Sequence, residues 1–502
     1  MRTGLSPLTN WLWPALFLML VACAAITNRT FWIDECVTAH VADHTNLIEA
    51  WEEMVDLRFA EVQMPFFIAY MWGFEKFFGD SEVALRLAGL PFFLIGMTLL
   101  LTALARRWRN LWALMLTIGL SPFVWYYLNE ARLYTMQMGA SAMVVAALFR
   151  LSENPAPTGK TERWWLRIYC SGLVLLSVIS MLGEIWALAP LLAVLVVITK
   201  ERLFGWWRPY RTEIIATLTI LFFTGIYYLW SLTRGARATA VGTTNLQTFL
   251  FIFYEQLGFT GLGPGRLELR EHGALSLKPF AVVLALYAVV TGIVLVAGIR
   301  RIWQNNSSRI LLRLLGCLSV PSLLILLAGL MMHFRVLGRH FTPLICVVFL
   351  VLGAGLVQLW RQLGSGGKVV VVGFFVLIFS SSLMVRLSPR HEKDNYRQAA
   401  RFAKELLAQN AVVWWNADRM GAEYYNVPLA TNANALGQKA LLIINPGDEI
   451  ASLPKADLII SSRPDVFDSQ GTVINYLKQE NFQAKTNLPA FILWEQTLLD
   501  LP

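Results

Sequence analysis

The chain has 502 residues, of which 56% are hydrophobic and only 15% charged, whereas soluble domains carry roughly 25% charged residues. Its formal net charge of +9 does not by itself indicate a nucleic-acid partner, because basic residues accumulate on the cytoplasmic side of membrane proteins. The five cysteines are scattered, mostly within apolar stretches, which supports neither a disulfide framework nor a cysteine metal site.

Apolar blocks of about 20 residues, the length that crosses a hydrocarbon core, recur along the chain. The first follows Arg2 and resembles a signal peptide, but the many later blocks favour a retained transmembrane helix. The blocks predict about 11 spans, at residues 10–28, 83–105, 110–128, 132–150, 166–183, 185–199, 212–231, 280–299, 310–332, 340–360 and 368–387.

The stretch Met64–Gly79 is short and aromatic and contains Pro65 near its start, which is more typical of an interfacial helix than of a span. If it lies on the outer surface and the N terminus is cytoplasmic, nearly every Lys/Arg cluster falls on the cytoplasmic side. We therefore expect a juxtamembrane helix here. The expected outside segments are residues 29–82, residues 232–279 and everything after about Ser388.

The sequence changes character after Ser388. Short apolar runs, among them VVWWNA and DLIISS, predict strands, and NYRQAARFAKELLAQ and GTVINYLKQENF predict helices. Strands that alternate with helices indicate an α/β domain. The expected fold is an all-α polytopic membrane domain at residues 1–388, followed by a small extracytoplasmic α/β domain at residues 389–502.

Polar and ionisable side chains gather at the outside ends of the predicted spans, and the span interiors are nearly without them. Transporters more often carry charges near the middle of the membrane, so this pattern favours a site at the outer surface. The residues at these ends include Asp34, Glu35, Arg86, Glu130, Arg132, Glu184, Tyr254, Glu255 and His340.

Arginines on the outside run against the usual sorting of basic residues. Four lie in the second outside loop and two flank the tenth span: Arg234, Arg237, Arg266, Arg270, Arg335 and Arg339. They indicate an anionic ligand such as a lipid phosphate, which guanidinium groups hold well. The alternative is contact with anionic lipid headgroups or with the acidic residues of the first loop.

Two histidines raise the question of a metal. His40 and His44 lie four residues apart, a spacing that could place both on one helix face as ligands. The sequence leaves a divalent metal ion open.

Five short segments occur in a recognisable order along the chain. Asp34–Glu35 follows the first span, MPFFIAYMWGFEKFFGDSEVALRLAGLPF includes Arg86, NEARLYTM includes Arg132 and Tyr134, and GRHFTP and KDNYRQAARFAKE include His340 and Tyr396. This ordered set resembles the GT-C glycosyltransferase superfamily, in its protein O-mannosyltransferase-like and aminoarabinose transferase branch, with His340 in place of an aromatic residue and Tyr396 where tryptophan is common. The resemblance covers essentially the whole chain.

The resemblance implies a fold and an activity. A sugar would pass, with inversion, from a polyprenyl-phosphate donor such as undecaprenyl phosphate to an acceptor hydroxyl of a glycan, lipid or protein at the outer face of a bacterial inner membrane. An apolar groove between the spans would hold the prenyl tail. No nucleic acid is expected as a partner.

The resemblance also implies roles for the residues named above. Asp34 would be the general base, and Glu35 would either support it or pair with Arg86 or Arg132. The arginines at 86, 132, 234, 237, 266, 270, 335 and 339 would neutralise the donor phosphate, and Glu130, Tyr134, Glu184, Tyr254, Glu255 and His340 would contact substrate. Two alternatives stay open: a flippase for a polyprenyl-linked sugar, and a sensor whose α/β domain binds a glycan or a partner protein.

Overall fold

The computed structural model describes residues 7–105, 111–153, 159–234, 244–304, 309–362 and 364–496. They form two compact units. The first, called the helical unit, takes the described residues of Met1–Thr27, Asn46–Phe77 and Val83–His391; the second, called the mixed unit, takes those of Asn28–Thr45, Phe78–Glu82 and Glu392–Pro502. The first predicted outside loop is therefore divided between the two units.

Each predicted span is helical over most of its described residues. The helices up to Leu387 are α1 (Pro7–Ala25), α2 (Ile33–Asp43), α3 (Leu47–Asp56), α4 (Pro65–Phe78), α5 (Glu82–Leu87), α6 (Leu90–Ala105), α7 (Leu111–Gly119), α8 (Pro122–Leu128), α9 (Tyr134–Glu153), α10 (Lys160–Ile179), α11 (Met181–Val197), α12 (Lys200–Ser231), α13 (Leu246–Gln256), α14 (Arg266–His272), α15 (Ala281–Gln304), α16 (Arg309–Met331), α17 (Ile345–Gln362) and α18 (Gly364–Leu387). Short 3-10 turns join them at Ala60–Gln63, Thr260–Leu262, Gly273–Phe280, Gly338–Leu344 and Pro389–His391.

Within the described residues, six helices are long and apolar enough to cross a membrane. In terms of the elements above, they are Glu82–Ala105 (α5 with α6), Pro209–Ser231 (within α12), Arg266–Gln304 (α14, the 3-10 turn after it and α15), Ile310–Met331 (within α16), Gly338–Gln362 (a 3-10 turn with α17) and Gly364–Leu387 (α18). The pair α7 and α8 meets at a 50° bend and raises the number to seven if it forms one span. The bend lies where Ser121 caps α8 just before Pro122, a residue suited to the first turn of a helix. The chain is thus a multi-pass membrane protein, while its orientation stays a prediction.

Glycines let neighbouring helices of the helical unit approach closely. A Cβ atom on Gly139 of α9 would lie 2.1 Å from the carbonyl oxygen of Phe92, and one on Gly355 of α17 would lie 1.9 Å from that of Val294 in α15. Small residues at such crossings allow the van der Waals contact that drives helix association in membranes.

The C-terminal part of the mixed unit is a six-stranded sheet flanked by helices. Its elements are α19 (Tyr396–Leu407), β1 (Val413–Asn416), α20 (Arg419–Tyr424), β2 (Leu429–Ala430), β3 (Ala440–Leu442), β4 (Leu458–Ser462), α21 (Pro464–Phe467), α22 (Thr472–Gln479), β5 (Phe482–Leu488) and β6 (Phe491–Gln496). The strand order is β2-β3-β1-β4-β6-β5, with β2, β3, β1 and β4 parallel and β6 antiparallel to both β4 and β5.

The sequence explains this sheet. All four residues of β1 are buried, as expected for a central strand with both faces covered. The helix α19 buries Ala399, Ala400 and Ala403 on one face. The predicted fold class, an all-α membrane region with a small C-terminal α/β domain, is confirmed.

Candidate functional site

One group of predicted residues meets in the helical unit and is called the Glu255 cluster: Glu255, Arg266, Arg339 and Glu130. Glu255 lies in the last turn of α13 and is 2% exposed. It forms an ion pair with Arg266, the first residue of α14. Arg266 also donates to the Tyr127 hydroxyl oxygen at 3.0 Å, and its guanidinium carbon lies 3.9 Å from the Tyr126 ring centroid. The guanidinium group is therefore held on three sides.

The Glu255 carboxyl group interacts electrostatically with the other charged residues of this cluster. Burial raises the pKa of the Glu255 carboxyl group, the positive charges of Arg266 and Arg339 oppose that rise, and Glu130 adds to it. Glu130 is itself 1% exposed. The cluster thus combines two guanidinium groups and two carboxyl groups.

The 3-10 turn Gly338–Leu344, which carries Arg339 and His340, is fixed against α13. The Gln256 Nε2 atom donates to the carbonyl oxygens of Gly338 and Phe341 at 3.2 and 3.1 Å. A Cβ atom on Gly338 would lie 2.1 Å from the Oε2 atom and 2.9 Å from the Cβ atom of Glu255, so a larger residue here would displace the Glu255 side chain. The position of Arg339 is therefore coupled to that of Glu255.

An apolar cavity adjoins the same turn. Its lining includes Leu148, Leu176, Trp186, Leu314, Pro343 and Val347. Trp186 lines the cavity and donates from Nε1 to the His340 carbonyl oxygen at 2.8 Å. The cavity and the turn that carries Arg339 are thus joined through one side chain.

Other predicted residues of the helical unit have different surroundings. Arg132 is 6% exposed and its Nη1 atom lies 2.7 Å from Glu61 Oε1. Arg86, 1% exposed, donates to the Thr27 carbonyl oxygen at 2.9 Å. Both side chains are therefore engaged with oxygen atoms of the protein.

Further predicted residues lie elsewhere in this unit. Glu184, in the first turn of α11, accepts a hydrogen bond from Thr224 Oγ1 at 3.1 Å. The Tyr134 ring packs 4.9 Å from that of Tyr127, and Tyr254, in α13, is half-buried. Arg234 and Arg335 are exposed and Arg270 is half-buried. Arg237 lies outside the described residues.

A second group, called the Asp34 cluster, lies in the mixed unit: Asp34, Asp394, Asp418 and Arg463. Asp394 is 2% exposed and accepts two bonds from Arg463 Nη2, at 2.8 and 2.6 Å. Asp34, in the first turn of α2, interacts electrostatically with Arg463 and Asp418. Three carboxyl groups therefore interact electrostatically with one guanidinium group.

Asp418 titrates in an unusual range. Burial raises its pKa to about 6; the N–H groups of Gly421 and Met420 and the charge of Arg463 oppose the rise, and Asp34 adds to it. The side chain caps α20 by accepting from Gly421 N at 3.2 Å. The cluster can thus hold a proton near neutral pH.

The two adjacent acids of the first loop have different surroundings. Glu35 is fully buried, with its Oε2 atom 3.5 Å from Lys393 Nζ, and it accepts from Trp32 N at 3.4 Å. Asp34 is half-buried. Glu35 therefore fixes the start of α2, and Asp34 is the more accessible carboxylate.

The two candidate metal ligands are neighbours. The ring centroids of His40 and His44 are 5.5 Å apart, and His40 Nδ1 lies 3.6 Å from Glu423 Oε2. A metal ion at these residues stays a prediction.

Comparison with known proteins adds the fold relationship. No protein-family model and no curated protein matches the sequence. Among solved structures, ArnT from Cupriavidus metallidurans in the apo state matches with a TM-score of 0.52 and 13% identity, over 98% of this chain and 99% of that one. This chain has the fold of ArnT. The structure of ArnT bound to undecaprenyl phosphate has a TM-score of 0.47 at 13% identity, over 97% of this chain and 98% of that one.

The shared fold agrees with the predicted resemblance at the level of architecture alone. Sequence reasoning missed several partners within it, namely Glu61, Lys393, Asp394, Asp418 and Arg463. Arg463 had a usable signal, because it directly follows the predicted strand DLIISS, and functional residues of α/β sheets gather at the carboxyl ends of strands. Glu61 had none, since its partner Arg132 is 71 residues away.

Proposed function

We propose that this protein is an inverting glycosyltransferase that moves a sugar from a polyprenyl-phosphate donor to an acceptor hydroxyl at the outer face of the membrane. The observation that carries the proposal is the ArnT fold, which extends over 98% of the chain. The chemistry of the Asp34 and Glu255 clusters supports it independently.

The donor is assigned to the helical unit. A prenyl tail lying between the helices beside the turn Gly338–Leu344 would bring the attached phosphate to this turn, which a small apolar cavity lined by Pro343 and Trp186 adjoins. Arg339 lies on this turn and Arg266 beside it in the Glu255 cluster. Their positive charges would stabilise the phosphate as it leaves with the electron pair of the broken C–O bond.

The base is assigned to Asp34. As the acceptor oxygen attacks the anomeric carbon, its proton passes to the Asp34 carboxylate, and the bond from that carbon to the phosphate oxygen breaks. The transition state has oxocarbenium character, which a nearby carboxylate also stabilises. Asp34 suits this task better than Glu35, which is fully buried and paired with Lys393.

The test is transfer by Asp34→Asn in proteoliposomes that contain labelled prenyl-phosphate sugar and acceptor. We expect a loss of about 10²- to 10⁴-fold, the usual contribution of general base catalysis. Asp43→Asn is the matched control, because Asp43 ends the same helix and is exposed; its rate should stay within about twofold of wild type.

Two results would overturn the proposal. Asp34→Asn with transfer within a few-fold of wild type would refute the base. Donor that crosses the bilayer without release of free lipid phosphate by the wild-type protein would identify a flippase in place of an enzyme.

A further inference from the structure

The order in which strands are added to the sheet reverses at β1. After β1 the chain adds β2 and β3 on one side, and β4 then pairs with β1 on the other. Open α/β sheets bind their ligands at such a reversal, outside the carboxyl ends of the strands. Asp418 follows β1 by two residues and Arg463 directly follows β4, so both lie at this edge.

The chain's own segment at the start of α2 occupies this place. The Arg463 guanidinium carbon lies 5.9 Å from the Trp32 ring centroid. The Asp394 Oδ2 atom, which accepts from Arg463, also accepts from Ile33 N at 3.5 Å. A carboxylate there also complements the positive end of the helix dipole. Arg463 and Asp394 thus hold the turn of the chain that carries Asp34.

The backbone of Arg463 adopts a strained conformation at this position. Its φ angle is 42°, in the left-handed region that residues with a side chain rarely adopt. Such outliers persist where the surrounding structure determines them, and they are common at functional sites. The two bonds from its Nη2 atom to the Asp394 carboxylate oxygens fix the guanidinium group in this structure.

We propose that Arg463, fixed by Asp394, is a positioning residue that holds the Asp34 carboxylate in place for the transfer reaction. This inference rests on the proposed function. Arg463 acts through Asp34 and has no assigned contact with the donor, whose phosphate is assigned to Arg266 and Arg339 in the helical unit. Loss of Arg463 should therefore affect the chemical step more than donor binding.

The first test separates kcat from KM. Arg463→Gln should lower kcat by about 10- to 100-fold, the cost of a catalytic group misplaced by about 1 Å, with the donor KM within about twofold. Arg463→Lys should recover part of kcat, because it keeps the charge but not the planar shape of the guanidinium group. The matched control is Arg401→Gln on α19, whose side chain is 77% exposed and paired with Glu405; it should behave as wild type.

The second test asks whether the effect runs through Asp34. In the Asp34→Asn background, Arg463→Gln should cause no further loss, because residues that act through one another are not additive. An equal fold loss in both backgrounds, or a normal kcat for Arg463→Gln alone, overturns the inference.

Hydrogen exchange tests the anchoring of α2 by Arg463 without relying on transfer activity. In Arg463→Gln, amides at the start of α2 should exchange faster while those of β1 and α22 keep their protection. If Asp34→Asn proves active, the base assignment fails, yet faster exchange in α2 still shows that Arg463 anchors the segment. If Arg463→Gln does not fold, Asp394→Asn takes its place, and unchanged exchange in α2 then overturns the anchoring.

Discussion

Removing one partner of the buried ion pair between Glu61 and Arg132 should strongly lower the free energy of unfolding. The two side chains are 6% and 5% exposed, with Arg132 Nη1 2.7 Å from Glu61 Oε1. Arg132→Met removes one charge and leaves the Glu61 carboxylate buried and unpaired, which costs about 3–5 kcal/mol. The double variant Glu61→Gln/Arg132→Met should regain part of that loss, because neither charge then stays buried alone.

The pair between Arg167 and Glu213 is the matched control. Its atoms lie 3.1 Å apart, but the side chains are 60% and 21% exposed. Arg167→Met should therefore cost no more than about 1 kcal/mol. Reversible unfolding in mixed detergent micelles, followed by tryptophan fluorescence, measures both free energies. Equal losses for Arg132→Met and Arg167→Met would refute the argument that burial sets the cost.

Three further outcomes are expected. Gly139→Ala places a Cβ atom 2.1 Å from a backbone oxygen of the facing helix and should lower the thermal unfolding midpoint, whereas Gly292→Ala, with nothing within 4 Å, should keep or raise it. Gly338→Ala should displace Glu255 and lower transfer at least tenfold with expression unchanged, as assayed in proteoliposomes; wild-type transfer would contradict this. Asp418 has a pKa of about 6 against a usual 3.8, so the folded state holds the proton more tightly, and stability falls by roughly 2 kcal/mol as pH rises from about 4 to above about 6. Asp418→Asn, which keeps a capping oxygen, should flatten that fall in thermal unfolding measured from pH 4 to 7.

The parts of the fold that depend on local pattern were predictable. Apolar blocks of about 20 residues form helices as expected, because that length of apolar sequence matches the thickness of the hydrocarbon core. The short apolar runs at β1 and β4 were predicted as strands. β5 was missed, because most of its residues are exposed and it contains no continuous apolar run.

The candidate site was predictable in its residue types but not in its pairings. Ile33 and Asp394 lie 361 residues apart, and a pattern read along the chain holds no information about such a contact. The adjacency of Asp34 and Glu35 also concealed their difference. Which of the two is buried is decided by Lys393, a residue of the C-terminal segment.

The mixed unit combines the early segment Asn28–Thr45 with residues from Glu392 onward, which fixes the order of events during biosynthesis. At about 5–20 residues per second, roughly 20–70 s separate the synthesis of the two segments. During that interval Glu35 and Cys36, which are fully buried in the folded protein, lack the residues that later cover them. A chain that terminates early never completes α2's environment, so the acid assigned to catalysis is set in place only once synthesis has reached the last strands.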